Sequence, residues 1–231
     1  SVFVFITSFA ICLFEKQPIN SLKTGLASLL GVSNLYLLKD STDYFAQSTD
    51  FNVFTHTWSL GVEEQFYILF PFLIWFSGFG RQTKNGARNL FLIVSATSIA
   101  SLIVFLYLNF TNQPAAYFLM PTRFWEIASG CLIFICFQKR EAIKQFLGKV
   151  PPLLSLALIV AAMYLPISMN MLATVIVVLL TCILIASLKK QTLLFRIFTN
   201  PRIVYIGLIS YSLYLWHWGL LSLARWTVGV T

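Results

Sequence analysis

Long apolar blocks separated by short polar loops are the feature that most constrains how this chain can fold. Of the 231 residues, 58% are hydrophobic and only 10% are charged, a profile typical of membrane proteins. A helix needs roughly 20 apolar residues to cross a bilayer, and most of these blocks approach that length. We therefore predict an all-α, polytopic transmembrane helix bundle that forms a single domain over residues 1–231.

The pattern predicts about seven membrane spans. They lie at residues 1–14, 57–77, 88–110, 119–138, 151–166, 171–188 and 203–226.

One further apolar stretch, 24–38, has only about 15 residues where a span needs roughly 20. It is also interrupted by small and polar residues, namely Gly25, Gly31, Ser33 and Asn34. The surrounding region, 15–54, carries three lysines against one glutamate and three aspartates, a balance that suits the outside of the membrane. We therefore predict a short re-entrant or interfacial helix over 24–38.

The basic residues are distributed unevenly among the later loops. They concentrate in the loops at 78–88, 139–150 and 189–202. The alternating loops, 109–118 and 166–171, carry no charge. Because short basic loops stay on the cytoplasmic side, we predict that these three are cytoplasmic and that 57–77 runs from outside to inside. The net charge of +8 then reflects membrane orientation, and we expect no nucleic-acid partner.

The cysteines occur singly inside apolar blocks, without metal-ligand spacing. They are Cys12, Cys131, Cys136 and Cys182. We interpret them as apolar thiols and predict no metal site.

The first polar constellation lies at the mouth of the 57–77 span. Helical spacing places four of its side chains on one stripe, namely His56, Ser59, Glu63 and Tyr67. Glu64 lies about 100° round the helix from that stripe. Ionisable groups at a membrane span are costly, so by default they mark a functional site. The alternative is that the carboxylates only favour the helix dipole.

Two later spans carry similar groups. Arg123 and Glu126 stand three residues apart at the start of 119–138, where they either pair only with each other or hold an anionic group. His217 lies in the outer half of 203–226, among Ser210, Tyr211, Tyr214 and Trp218. The alternative there is an aromatic belt, which would not require a histidine. Since the predicted topology puts all three constellations in the outer half, we expect one outward-opening polar pocket.

The segment from His56 to Tyr67, HTWSLGVEEQFY, resembles the signature of the membrane-bound acyltransferase 3 family, which includes polysaccharide O-acetyltransferases. Three further pieces resemble family segments in the family's order. They are Asn34–Tyr36 with Tyr44–Phe45, Arg123–Glu126 with Gly130, and Ile209–Trp218.

The resemblance implies transfer of an acyl group, usually acetyl, from acetyl-coenzyme A or another acyl-coenzyme A to a hydroxyl of a glycan or glycolipid. The coenzyme is a donor substrate, so no bound cofactor is expected. It implies an enzyme of the bacterial inner membrane, and that this chain is an internal piece lacking the family's first two helices and its last. The family's first helix carries an arginine and a histidine thought to be catalytic.

The resemblance also suggests roles for residues of this chain. Glu63 and His56 would orient or relay a proton for the absent histidine, and Arg123 would hold Glu63 or an acyl oxygen. The residues expected to bind substrate are Trp58, Ser59, Tyr67, Glu126, Ser210, Tyr211 and His217.

Two other classes of function fit the same ionisable groups. A transporter or proton-coupled channel would use them to line a path, although we find no internal repeat. A membrane scaffold or sensor would tolerate their neutralisation. The acceptor, the acyl group and the oligomeric state are not readable from the sequence.

Overall fold

Helices form all the regular structure in the part of the chain that the computed structural model describes, which confirms the all-α prediction. The described residues are 6–7, 18–40, 52–139 and 148–228. Most of the predicted 1–14 span, much of the acidic 39–54 loop (including Tyr44–Phe45) and most of the 139–150 loop lie outside these residues.

Six predicted spans coincide with helices to within a few residues. In chain order, the helices are α1 (Pro18–Leu29), α2 (Ser33–Asp40), α3 (Trp58–Ser77), α4 (Gly86–Thr111), α5 (Gln113–Phe118), α6 (Met120–Lys139), α7 (Pro152–Met163), α8 (Asn170–Ser187), α9 (Leu193–Phe198) and α10 (Pro201–Val228). Short 3₁₀ turns occupy Thr55–Thr57 and Ile167–Met169.

Two short helices, α5 and α9, lie where the sequence predicts loops. Each begins at a capping side chain: the Asn112 amide oxygen accepts from the backbone N–H of Ala115, and the Thr192 hydroxyl accepts from that of Phe195. One and a half turns are too short for a hydrophobic period, so only the caps could have indicated these helices.

Four helical segments are long and apolar enough to cross a membrane, which supports an integral membrane protein. They are Gly86–Thr111, Gln113–Cys136, Asn170–Ser187 and Pro201–Ser222. Helix α7 is apolar but has only 12 residues. The total of about seven spans stays a prediction.

The stretch predicted as one re-entrant helix is two helices, α1 and α2, divided at Gly31. Gly31 has φ +68°, the left-handed conformation in which glycine pays no steric penalty. The backbone N–H groups of Gly31 and Val32 donate to the carbonyls of Ser28 and Ala27, which closes the end of α1. The expectation of one continuous helix over 24–38 is therefore wrong, and whether the pair re-enters the membrane stays a prediction.

The apolar core lies among α3, α4 and α6. Its buried side chains are Phe66, Leu90, Val94, Phe124, Ala128 and Ile135. A second cluster, around Phe105 and Trp125, packs α4 and α6 against α8. Burial of these side chains fixes α6 and α3 relative to each other, and both helices carry predicted site residues.

A close approach between α2 and α3 depends on Gly61. A Cβ atom added at Gly61 would lie 2.9 Å from the Asn34 amide oxygen and 3.2 Å from the Ser33 hydroxyl. The Glu64 carboxylate covers Gly31 from the same side of α3. Any side chain at position 61 would therefore push the α1–α2 pair away from α3.

We expect Gly61→Ala to lower the stability of the protein by about 1–3 kcal/mol, because it overpacks this contact. The control is Gly130→Ala, since an added Cβ at Gly130 meets nothing within 4 Å. Thermal unfolding of the two variants in one detergent measures the difference. Equal melting temperatures would show that the α2–α3 contact is looser than described.

Candidate functional site

A buried asparagine joins three helices beneath the candidate site. The Asn34 side chain is fully buried; its amide oxygen accepts from Gln65 Nε2 at 2.8 Å, and its amide nitrogen donates to the Phe118 carbonyl at 3.0 Å. Gln65 Nε2 also donates to the Gly31 carbonyl at 3.1 Å. These bonds connect α2, α3 and α5, so they fix the relative positions of the helices that carry or adjoin the site residues.

The segment 52–59, which leads into α3, is held by the α1–α2 pair on one side. The Ser33 hydroxyl donates to the Thr57 carbonyl at 2.8 Å, and the Ser28 and Thr57 hydroxyls lie 2.5 Å apart. The Asn52 amide donates to the Thr24 hydroxyl at 2.9 Å. The polar groups before α3 are therefore bonded within the protein, as a membrane environment requires.

Helix α10 holds the same segment from the other side. Trp218 Nε1 donates to the Asn52 carbonyl at 2.9 Å. The Tyr214 hydroxyl bonds to the His56 carbonyl and lies 2.7 Å from the Ser59 hydroxyl. The predicted meeting of the first and third constellations is therefore present, and Tyr214 makes it.

His56, Tyr214 and His217 form what we call the histidine cluster. The His56 ring centroid lies 5.2 Å from that of Tyr214 and 5.6 Å from that of His217. His56 is only 8% exposed and lies in the turn that precedes α3. Burial, together with the nearby His217, lowers the pKa of His56 from 6.5 to about 4, although the Val53 and Leu215 carbonyls partly oppose this.

His217 differs from His56 because its side chain is exposed. Its Nδ1 lies 2.5 Å from the Tyr214 carbonyl. A carbonyl oxygen only accepts hydrogen bonds, so Nδ1 carries a proton, and in the neutral imidazole Nε2 is then the acceptor nitrogen. The cluster thus pairs a buried neutral imidazole with an accessible imidazole.

Trp58, Tyr117, Arg123 and Glu126 form what we call the arginine wall. Arg123 Nη1 donates to both Glu126 carboxylate oxygens, at 2.9 and 3.2 Å, and Arg123 Nε donates to the Tyr117 carbonyl at 3.2 Å. The guanidinium carbon lies 5.0 Å from the Tyr117 ring centroid and 5.5 Å from that of Trp58. These contacts join the second constellation to the first and hold the cation in one place.

The two carboxylates of the signature segment have different surroundings. The Glu63 side chain is exposed, and Glu63 does not pair with Arg123, whose only salt bridge within the described residues is to Glu126. Glu63 lies one turn of α3 beyond Ser59, whose hydroxyl is 2.7 Å from that of Tyr214. Glu64 instead packs over Gly31.

Three predicted substrate-binding residues do not join these groups. Tyr67 and Tyr211 are 63% and 58% exposed, and the Ser210 hydroxyl donates to the Gly207 carbonyl of its own helix. Conversely, the predicted site residues did not include Tyr214, Tyr117, Gln65 and Asn34. Asn34 and Gln65 lie in segments that resemble the family, and Tyr214 lies beside His217 in a third such segment, so the resemblance was the signal that could have indicated them. In the described part of the chain, no group of three or more His, Cys, Asp or Glu side chains could hold a metal ion.

Comparison with known proteins finds similarity to acyltransferases. A family model described as an acyltransferase domain matches residues 2–229. A putative O-acetyltransferase of Staphylococcus aureus strain COL, SACOL0978, is 28% identical over 208 residues, which cover 85% of this chain and 34% of that protein. The O-acetyltransferase OatA of S. aureus strain NCTC 8325 is 29% identical over 221 residues, which cover 89% of this chain and 36% of OatA.

The chain thus spans about a third of the length of the curated relatives it matches. No solved structure gives a significant match to it.

The low pKa of His56 predicts how stability depends on pH. The unfolded chain takes up a proton at His56 below about pH 6.5, whereas folded His56 stays neutral down to about pH 4. Protonation therefore favours the unfolded state in this window, and we expect His56 to cost about 3 kcal/mol of stability as the pH falls from 6.5 to 4.

The measurement is the melting temperature of the native protein and of His56→Gln, in the same detergent, from pH 7.5 to pH 4. Groups far from His56 titrate equally in both proteins, so the difference between the two curves reports His56 together with its interaction with His217. Parallel curves would mean that His56 protonates at its ordinary pH.

Proposed function

The chain belongs to the acyltransferase 3 family, whose domain model matches it almost from end to end, and on that premise we propose that it is part of a membrane O-acetyltransferase. The enzyme would move an acyl group, acetyl when the donor is acetyl-coenzyme A, from acyl-coenzyme A to a hydroxyl of a cell-surface glycan or glycolipid. The printed names of its relatives support O-acetylation, and family membership favours an enzyme over the transporter and scaffold alternatives.

The observation that carries this proposal is the meeting of the histidine cluster and the arginine wall at one end of the bundle. Trp58 and Ser59 are neighbours in sequence; Trp58 contacts Arg123, and Ser59 contacts Tyr214. Acyl transfer to a hydroxyl needs a group that accepts the hydroxyl proton and a group that stabilises negative charge on the acyl oxygen. The cluster and the wall supply one group of each kind.

We assign proton handling to the histidine cluster. His217 has an exposed side chain, and when its imidazole is neutral, with Nδ1–H bonded to the Tyr214 carbonyl, Nε2 can accept a proton from an acceptor hydroxyl or from a further base. His56 is buried and stays neutral at neutral pH, so it does not add a positive charge beside His217. Glu63 lies one turn of α3 beyond Ser59, and we assign to it the onward relay of the proton.

We assign charge stabilisation to Arg123. Its Nε and Nη1 are engaged by Tyr117 and Glu126, and its Nη2 makes no hydrogen bond within the described residues. A guanidinium held on two sides needs no reorganisation when negative charge develops nearby, which is what makes such a donor effective. Trp58 and Tyr117, whose ring centroids lie 4.3 Å apart, would form the adjacent binding surface. Tyr67, Ser210 and Tyr211 stay predictions without a contact to either group.

We further propose that the chain lies in a bacterial inner membrane with the loops 78–88, 139–150 and 189–202 in the cytoplasm. The charge asymmetry of the loops supports this orientation. The cluster and the wall would then open to the outside, where the glycan acceptor is found.

We expect Arg123→Ala to reduce acetylation of the cell-envelope glycan by about 100-fold, the usual effect of removing a preorganised donor to a developing oxyanion. The readout is alkali-released acetate from purified glycan of cells that express the protein from its own gene. Arg123→Lys, which keeps the charge but not the forked geometry, should lose less activity.

The matched control is Arg196→Ala, which removes an arginine from α9, away from both the cluster and the wall. It should acetylate normally at an equal level of membrane-inserted protein. Full acetylation by a well-expressed Arg123→Ala variant would remove Arg123 from the mechanism.

The orientation has its own test. In a cysteine-free background, we expect a membrane-impermeant maleimide to label Thr111→Cys in intact cells, because that residue is the last of α4, at its uncharged end. Thr83→Cys, in the basic turn before α4, should be labelled only after the cells are opened. The reverse pattern would invert the bundle and place the site at the cytoplasmic face.

A further inference from the structure

An apolar groove runs along the outside of the bundle beneath the arginine wall. It has a volume of about 350 Å³ and lies between α3, α4 and α6. Its lining residues are Leu69, Leu73, Thr97, Ala100, Ser101, Val104, Met120, Pro121 and Phe124.

The two hydroxyl groups in this lining are already satisfied. Thr97 donates to the Ile93 and Val94 carbonyls of its own helix, at 2.9 and 3.1 Å. The Ser101 hydroxyl donates to the Pro121 carbonyl at 2.5 Å and accepts from the Trp125 N–H at 3.1 Å. The groove therefore offers an occupant no hydrogen bond from its side chains, which selects for hydrocarbon and against water or a polar ligand.

The depth of the groove fits a hydrocarbon chain with one end near the site. Leu69 and Leu73 lie about 16 and 22 Å along α3 from Trp58, at 1.5 Å per residue. Thr97 lies about 21 Å from the end of α4 at Thr111, which is on the same end of the bundle. The groove thus extends from the first turn of α6 to more than half the thickness of a bilayer hydrocarbon core of about 30 Å.

The same turn of α6 serves both the groove and the arginine wall. Pro121 and Phe124 line the groove, while Arg123, between them in sequence, turns towards Tyr117 and Trp58. A molecule whose chain occupies the groove has its polar end at the level of the Arg123 guanidinium, whose Nη2 makes no hydrogen bond to the part of the chain that the structure describes. One end of the groove therefore lies at the same helical turn as Arg123 of the candidate site.

We propose that this groove binds the hydrocarbon chain of a membrane amphiphile and presents its polar end to the arginine wall. Taken with the proposed function, on which this part rests, the amphiphile is the acceptor: a lipid-linked sugar whose hydroxyl reaches the histidine cluster. The groove would then select acceptors by their lipid chain, before any contact with the sugar is made.

The test uses a photoreactive hexadecyl glucoside with a diazirine in its alkyl chain, added to the protein in phosphatidylcholine nanodiscs. After irradiation, mass spectrometry maps the labelled residues. We expect labelling to concentrate on the groove and to fall at least fivefold in Ala100→Trp, which fills it. The matched control is Ile99→Trp, since Ile99 is 59% exposed at the same depth of α4 but does not line the groove.

Labelling spread evenly over exposed faces of α4, or equal loss in both variants, would overturn the proposal, because the groove would then hold only bulk lipid. An unlabelled groove would also overturn it, since another protein segment would occupy the space. The labelling does not depend on catalysis. Groove labelling without acetyl transfer would support the lipid groove and reject the proposed function. Acetyl transfer without groove labelling would support the proposed function and reject the lipid groove.

Discussion

The hydrogen bonds of the Asn34 side chain are the constraint on which the rest of the site depends. A buried amide without partners would cost several kcal/mol in a membrane protein, so its position is fixed by the Gln65 amide and the Phe118 carbonyl. Those partners lie on α3 and α5, which also carry Trp58 and Tyr117. The broken helix pair, the start of α3 and the arginine wall therefore share one polar junction, and the absence of a side chain at Gly61 allows it to close.

Above this junction, the site combines two kinds of contact. The arginine wall rests on a packed apolar core through Phe124 and Trp125, neighbours of Arg123 that are both buried. The histidine cluster instead depends on α10, where Leu215 and Trp216 pack against Val53 and Phe54 while Tyr214 and Trp218 bond to His56 and Asn52. Among the described residues, one half of the site is thus part of the main bundle, while the other is joined to it through the segment 52–59.

The sequence predicts the helices well because hydrophobic length and turn residues determine them locally. The 57–77 block becomes α3, which ends at Gly78 in the left-handed conformation expected of a terminal glycine. Helical phase correctly groups His56 with Ser59, but it cannot show that Glu63 is exposed, because exposure depends on which helices surround that face. Asn34 illustrates the same limit: its partner at Phe118 lies 84 residues away. Local pattern thus finds the residues of the site, and long-range contacts decide their roles.

The attachment of α10 to the segment 52–59 has a consequence for how an intact protein is recognised. A helix that, in the described part of the chain, meets the bundle mainly at one segment can separate without losing its own backbone hydrogen bonds, which are internal to the helix. Circular dichroism would then register an undisturbed protein although His217 had left His56. Spectroscopic helicity is therefore a poor measure of integrity for this molecule, and the surroundings of Trp218, whose indole N–H binds the Asn52 carbonyl, are a better one.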